Sequence, residues 1–165
     1  YKRQGQSDLG IWRVHQFTKV EQIVIAKPED SWELHEELLQ NCIDLWNELG
    51  LHYEVVNICT GDMGTVAARK YDIEAWLPGA AQYKEVVSCS NCTDYQANRL
   101  QIKYGQPGHS NQPIVHTLNS TAVATSRALV AIMEQNQLSD GSVRIPEVLT
   151  PLMGGQATLE PCNWG

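Results

Sequence analysis

Five runs with strand character follow one another between Tyr53 and Leu118, with few helical patterns among them. They cover residues 53–60, 71–77, 83–90, 100–104 and 114–118, each rich in β-branched and aromatic residues and bounded by turn-forming ones. Parallel pairing needs long crossovers, usually helical, and the short connections here leave little room for them. The pattern therefore predicts an α+β fold, an antiparallel β-sheet flanked by helices.

Two helices frame this region. Residues 30–49 begin at Asp30 or Ser31 as the cap, with Glu33 at capping-box distance from Asp30. Leu34, Leu38, Leu39, Cys42, Leu45, Trp46 and Leu49 form one apolar stripe, and Gly50 stops the helix. The second helix is expected over 121–137, with Asp140-Gly141 as a turn beyond it. A further long strand is expected ahead of both, over 11–26, and the polar stretch 105–112 reads as a surface loop. The 165 residues contain no repeat and no low-complexity linker, and fit one domain with one core.

Charge and cysteine content narrow the function. Twelve Lys and Arg against 19 Asp and Glu give a net charge of −7, with no basic run. Such a surface does not by itself grip a phosphate backbone, so any nucleic-acid partner needs its main electrostatic contact elsewhere. The most apolar stretch, 122–133, is too short to span a bilayer and contains Arg127. The opening residues are polar and lack a signal peptide, and five cysteines are an odd set, so free thiols in a reducing, cytoplasmic setting are expected. Cys89 and Cys92 have C-x-x-C spacing. A zinc site would need about two more good ligands, and redox pairs of this type sit at helix starts rather than on strands.

Three stretches carry candidate chemistry. On a strand over 11–26, side chains alternate, so Ile11, Arg13, His15, Phe17, Lys19, Glu21, Ile23 and Ile25 share one side. Trp12, Val14, Val20 and Val24 occupy the other, which is expected to pack. Phe17 is the sole phenylalanine, and it sits among charges as a stacking platform would. A solvated face with a ladder of salt bridges fits the same pattern. Asp72 and Glu74 share a face, with Glu85 on the next strand; such carboxylates either hold Mg²⁺ or are ordinary exposed acids. The stretch 116–127 runs from strand into helix through small residues, and Arg127 lies in the early turns of that helix. A cation there opposes the helix dipole, so it is either merely solvated or held by an anion.

The segments Gly10-Ile11-Trp12-Arg13-Val14-His15-Gln16-Phe17-Thr18-Lys19-Val20-Glu21, 88–96, 116–127, 140–149 and 159–162 resemble, in order, the second half of motif 2, the metal-strand region, motif 3, the segment after it and the C-terminus of seryl-tRNA synthetases, a class II aminoacyl-tRNA synthetase family. The resemblance covers nearly the whole chain. It implies serine activation with ATP to seryl-adenylate and transfer to tRNA(Ser), with ATP as substrate and Mg²⁺ as cofactor. It also implies roles residue by residue. Arg13 and Arg127 would be the charge-stabilising catalytic groups on the nucleotide, with Phe17 stacked on adenine. Glu85 and Ser88 would ligate the ion that bridges the ATP phosphates. Glu21, Asn119 and Thr121 would form the serine pocket. Glu85 and Ser88 are three residues apart, so a regular strand would place them on opposite faces, and a bulge or twist is expected between them.

The same resemblance implies that residues 1–165 are the C-terminal portion of the catalytic domain. The N-terminal tRNA-binding arm, the dimer-forming motif 1 and the first motif 2 arginine have no counterpart in it. The full-length protein would be a homodimer. A synthetase-like paralogue that loads a carrier protein, or a non-catalytic binding or regulatory protein, is the alternative; retention of Arg13, Glu21, Glu85 and Arg127 speaks for the enzyme.

Overall fold

Helix α1, Ser31–Glu48, turns its apolar stripe inward: Leu38, Leu39, Cys42 and Trp46 are buried, and His35 joins them at the same helical spacing. The helix stops at Gly50, whose N–H donates to the Asn47 carbonyl at 2.9 Å and whose φ of 66° turns the Leu51 N–H back to the Trp46 carbonyl at 3.5 Å. Its start differs from the expected capping box. Asp30 occupies the cap position without a side-chain bond, and Ser31 Oγ instead donates to the Pro28 carbonyl at 3.1 Å and meets His116 Nδ1 at 2.7 Å. This ties the helix start to the sheet rather than to its own first turn.

The computed structural model describes residues 10–106, 108 and 112–162. Its main sheet has five antiparallel strands in the order β1-β5-β4-β3-β2. These are β1 Lys19–Ala26, β2 Tyr53–Asn57, β3 Arg69–Leu77, β4 Gln82–Asn91 and β5 His116–Ala124. Helix α2, Tyr95–Leu100, follows β4, and α3, Thr125–Asn136, follows β5 directly. A small pair, β6 Val143–Arg144 with β7 Thr158–Leu159, brackets a 3₁₀ helix at Glu147–Met153. Helices α1 and α3 contribute to one core with Ile73, Ala75, Leu77, Val87, Cys89 and Leu118 from one face of the sheet. This is the α+β arrangement expected from the order of the strand runs. Among the described residues no helix is long and apolar enough to cross a membrane.

Three expected elements change. The strand over 11–26 exists only from Lys19; Gly10–Trp12 is a 3₁₀ turn, and residues 13–18 are irregular. The cause is the neighbour. Strand β5 ends at Ala124 opposite Lys19, and the next residue, Thr125, starts α3 while its N–H and Oγ1 take the Thr18 carbonyl at 3.1 and 2.9 Å. Beyond that point no strand among the described residues is available to pair. Trp12 and Val24 pack against the core as expected, but Val14 and Val20 are exposed at 36% and 56%. The run 100–104 is the end of α2 followed by one bridge, Lys103 with Ile114. The second helix begins at Thr125 rather than 121, because the β1 ladder keeps 119–124 extended. The loop expected at 105–112 falls partly outside the described residues.

Candidate functional site

The sheet has a packed face and an open one, and two irregularities decide what stands on the open side. Strand β4 pairs with β3 through Ile73 opposite Val87 and then Glu74 opposite Glu85, so Val86 is an extra residue. This bulge reverses the alternation, as the two consecutive buried valines, 86 and 87, show. It brings Glu85 and Ser88 to one face, where Ser88 lies opposite Asp72 and Glu85 opposite Glu74. The bulge anticipated between these two residues is present.

The second irregularity is a split. Strands β4 and β5 pair only through Cys89, Ser90 and Asn91 opposite Ser120, Asn119 and Leu118. Arg127, from the first turn of α3, donates through Nη1 to the Glu85 carbonyl at 2.8 Å, beyond this three-residue ladder. The same Nη1 is 3.2 Å from Glu85 Oε1, and the guanidinium lies 5.3 Å from the centre of the Trp12 ring. These contacts explain how a cation is held in an early helical turn. Lys84 stands 5.3 Å from the centre of the same ring. Trp12, Arg13, Lys84, Glu85 and Arg127 together line a cleft of about 210 Å³. Sequence reasoning placed Trp12 in the core and passed over Lys84; their adjacency to Arg13 and Glu85 was the available signal.

Glu21 begins the other half of the open face. Its carboxylate accepts from Thr121 Oγ1 at 3.2 Å and pairs with Lys19 Nζ at 2.6 Å. Another bulge supports this: Val20 faces Val123 while Glu21 faces Thr121, leaving Ala122 extra in β5. The Ala122 carbonyl accepts the Trp46 indole N–H from α1 at 3.4 Å. Asn119 stands opposite both Ile23 and Ser90, and its amide donates to the Cys92 thiol at 3.7 Å. Glu21, Thr121, Asn119, Ser90, Ser88 and Glu85 thus run across one face, continuous with Arg127. Arg13 reaches this surface through the cleft but not through strand alternation, since residues 13–18 are irregular. Phe17 lies in the same irregular segment, 48% exposed.

Asp72 is the buried charge of this face. It is 4% exposed, Oδ2 is 3.2 Å from Lys70 Nζ, and Oδ1 has no hydrogen-bond partner. Burial, and then the Glu85 carboxylate, push its pKa up to about 6 against the lowering influence of Lys70 and Ser88. The Cys89 thiol is buried and pushed up to about 12. Among the described residues no three His, Cys, Asp or Glu side chains gather as a metal cluster. A site with one or two carboxylates that leaves the other positions to phosphate and water remains open to Mg²⁺. Glu85 and Ser88, aligned by the bulge beside the unpartnered Asp72 oxygen, fit that description.

Known proteins resemble this chain in sequence and fold. Residues 2–136 match the family model described as tRNA synthetase class II core domain (G, H, P, S and T). The chain is 62% identical to a serine–tRNA ligase of Methanocella arvoryzae over 152 residues, 92% of this chain and 36% of that protein. It superposes on the seryl-tRNA synthetase of Pyrococcus horikoshii complexed with ATP at a TM-score of 0.91 with 55% identity, covering 97% of this chain and 36% of that one. The cytoplasmic serine–tRNA ligase of Naegleria fowleri in complex with AMP gives a TM-score of 0.90 and 47% identity, over 98% of this chain and 39% of that one. The chain therefore spans little more than a third of the length of these relatives.

Proposed function

The chain belongs to the class II tRNA synthetase core family, and from that premise we propose that the protein of which this sheet is the working surface activates serine with ATP and transfers the seryl group to tRNA(Ser). The observation that carries the reading is the continuity of the open face. Glu21, Thr121 and Asn119 form a polar row on the open face, and the same face leads through Glu85 to the cleft lined by Arg13 and Arg127. The two relatives of known structure above are complexes with ATP and with AMP, and the curated relative is a serine–tRNA ligase.

In this reading Arg13 and Arg127 bind nucleotide phosphate, and Phe17, already exposed, stacks on the adenine. Glu21 accepts a hydrogen bond from serine, with Thr121 fixing the carboxylate and Asn119 limiting the pocket. The serine carboxylate oxygen attacks the α-phosphorus and pyrophosphate leaves. The tRNA terminal hydroxyl then attacks the acyl carbon and AMP leaves. No protein nucleophile takes part, so the chain's contribution is positioning and charge stabilisation. Glu85 and Ser88 would hold Mg²⁺, which when bound supplies positive charge to the phosphate oxygens. With a net charge of −7 here, the main grip on tRNA lies outside these residues, and the resemblance assigns it to an N-terminal arm. The full-length protein works as a homodimer in the cytoplasm.

The test is serine-dependent ATP–pyrophosphate exchange by the full-length protein and its Arg13→Ala variant. Exchange that depends on serine, and falls at least tenfold in the variant, supports the reading. Exchange driven equally by another amino acid would overturn it.

A further inference from the structure

We propose that Asp72 is a positioning residue: it accepts the Ser88 hydroxyl proton in a hydrogen bond and so turns the Ser88 lone pair outward, towards the cation shared with Glu85. The inference rests on the reading of Glu85 and Ser88 as ion ligands, and adds to it the group that orients one of them.

A hydroxyl that ligates a cation must point its hydrogen away from the ion, and that hydrogen needs an acceptor. Ser88 faces Asp72 directly across the β3–β4 ladder, on the open side. Asp72 Oδ1 has no hydrogen-bond partner, although the residue is 4% exposed. An unmet carboxylate oxygen at that depth is costly. Ser88 is the hydroxyl across the ladder, and its proximity is one of the influences that lower the Asp72 pKa against burial. Lys70, 3.2 Å from Oδ2 and standing opposite Ser90 on the same face, offsets the buried charge from the other side. A buried carboxylate with one oxygen held by a lysine and the other unpartnered, opposite a candidate ligand hydroxyl, matches the arrangement by which outer groups orient a ligand.

The chemistry of Asp72→Asn follows from this. An amide has a single acceptor oxygen, and the Lys70 ammonium claims it. The NH₂ then faces Ser88 and occupies the lone pair needed for the ion. Removing the ammonium as well, in Lys70→Met/Asp72→Asn, releases the amide oxygen to serve Ser88.

The experiment titrates Mn²⁺ by electron paramagnetic resonance into the full-length protein saturated with a non-hydrolysable ATP analogue. Asp72→Asn should raise the Mn²⁺ Kd by about 10-fold or more. Ser88→Ala should do the same, and adding Asp72→Asn to Ser88→Ala should change nothing further. Lys70→Met/Asp72→Asn should recover most of the affinity, and serine affinity by calorimetry should stay within about twofold throughout. If Asp72→Asn does not fold, the charge-balanced pair decides: Lys70→Met/Asp72→Asn should bind Mn²⁺ tightly and Lys70→Met/Asp72→Ala weakly. Wild-type Mn²⁺ affinity in Asp72→Asn, or a full further loss in the Ser88→Ala background, overturns the proposal. Unchanged affinity in both Glu85→Gln and Ser88→Ala would instead remove the ion site itself, and the proposal with it.

Discussion

If Glu21 anchors the serine hydroxyl as proposed, replacing it by Ala has an effect whose size the surroundings of the carboxylate set. The Glu21 side chain is 24% exposed, so most of its hydration is already lost before any ligand arrives. Thr121 Oγ1 at 3.2 Å and Lys19 Nζ at 2.6 Å engage Oε2, which leaves Oε1 to accept. A hydrogen bond to a charged group contributes about 1.5–3 kcal/mol. Its loss corresponds to roughly a tenfold to hundredfold fall in kcat/KM for serine, by the usual conversion of about 1.4 kcal/mol per factor of ten. Packing alone would not distinguish serine from alanine so well, because one small group in a pocket is worth only about 1–3 kcal/mol and can be met by either. The assay is pyrophosphate exchange by the full-length protein, with serine and ATP varied separately. The serine KM should rise while the ATP KM changes less than about threefold. Lys19→Ala is the control: the Lys19 side chain is 41% exposed, so water can replace it, and its loss should cost only about 0–1 kcal/mol. If Glu21→Ala leaves serine kinetics unchanged, Glu21 is only the partner of Lys19 and the pocket lies elsewhere.

Arg127→Lys keeps the charge but loses the planar guanidinium that meets the Glu85 carbonyl and carboxylate and lies over Trp12; the ATP KM should rise about tenfold or more in the exchange assay, with serine KM nearly constant. Trp46→Ala empties a fully buried position under β5 and should cost about 3–5 kcal/mol in urea unfolding of the full-length protein. Burial lowers the His35 pKa from 6.5, so the unfolded chain binds a proton that the folded one resists. Its contribution to stability is therefore intact above pH ~6.5 and declines as pH falls below it, and His35→Gln should flatten that part of a stability–pH curve measured by denaturant titration.

Helix α1 was legible because its stripe, stop signal and length are local properties of residues 34–50. The antiparallel sheet was legible from the succession of strand runs. Strand ends were not, because they depend on neighbours distant in sequence. Val14 and Val20 look like core residues in an alternating run, yet Val14 precedes the ladder, which starts only at Lys19, and Val20 is exposed although paired with Val123 beside the bulge. Residues 121–124 have helical composition, but pairing with β1 holds them extended. The Glu85–Ser88 bulge could be anticipated only by requiring both residues to reach one ligand. The spacing alone argued the other way. Arg127 announced itself by opposing the helix dipole, while its partners, the Glu85 backbone and Trp12, come from segments 42 and 115 positions earlier and have no signature in the sequence around it.

Regularity would have disabled this surface. An unbroken β4 would send either Glu85 or Ser88 to the packed side, where Val87 and Cys89 already fill the space against α1. A complete β4–β5 ladder would supply strand partners to the backbone around Glu85 and compete with the Arg127 guanidinium for its carbonyl. A straight β5 without the Ala122 bulge would change the pairing that sets Thr121 opposite Glu21. Each departure interrupts a regular ladder, and each is anchored from the packed side or across the split: Val86 and Val87 in the core, the Trp46 indole on Ala122, Arg127 on Glu85. Local rules broken where the surrounding packing compensates are the mark of positions selected for chemistry rather than stability. The same logic singles out Asp72, whose unpaired oxygen lies on the face that the β4 bulge creates.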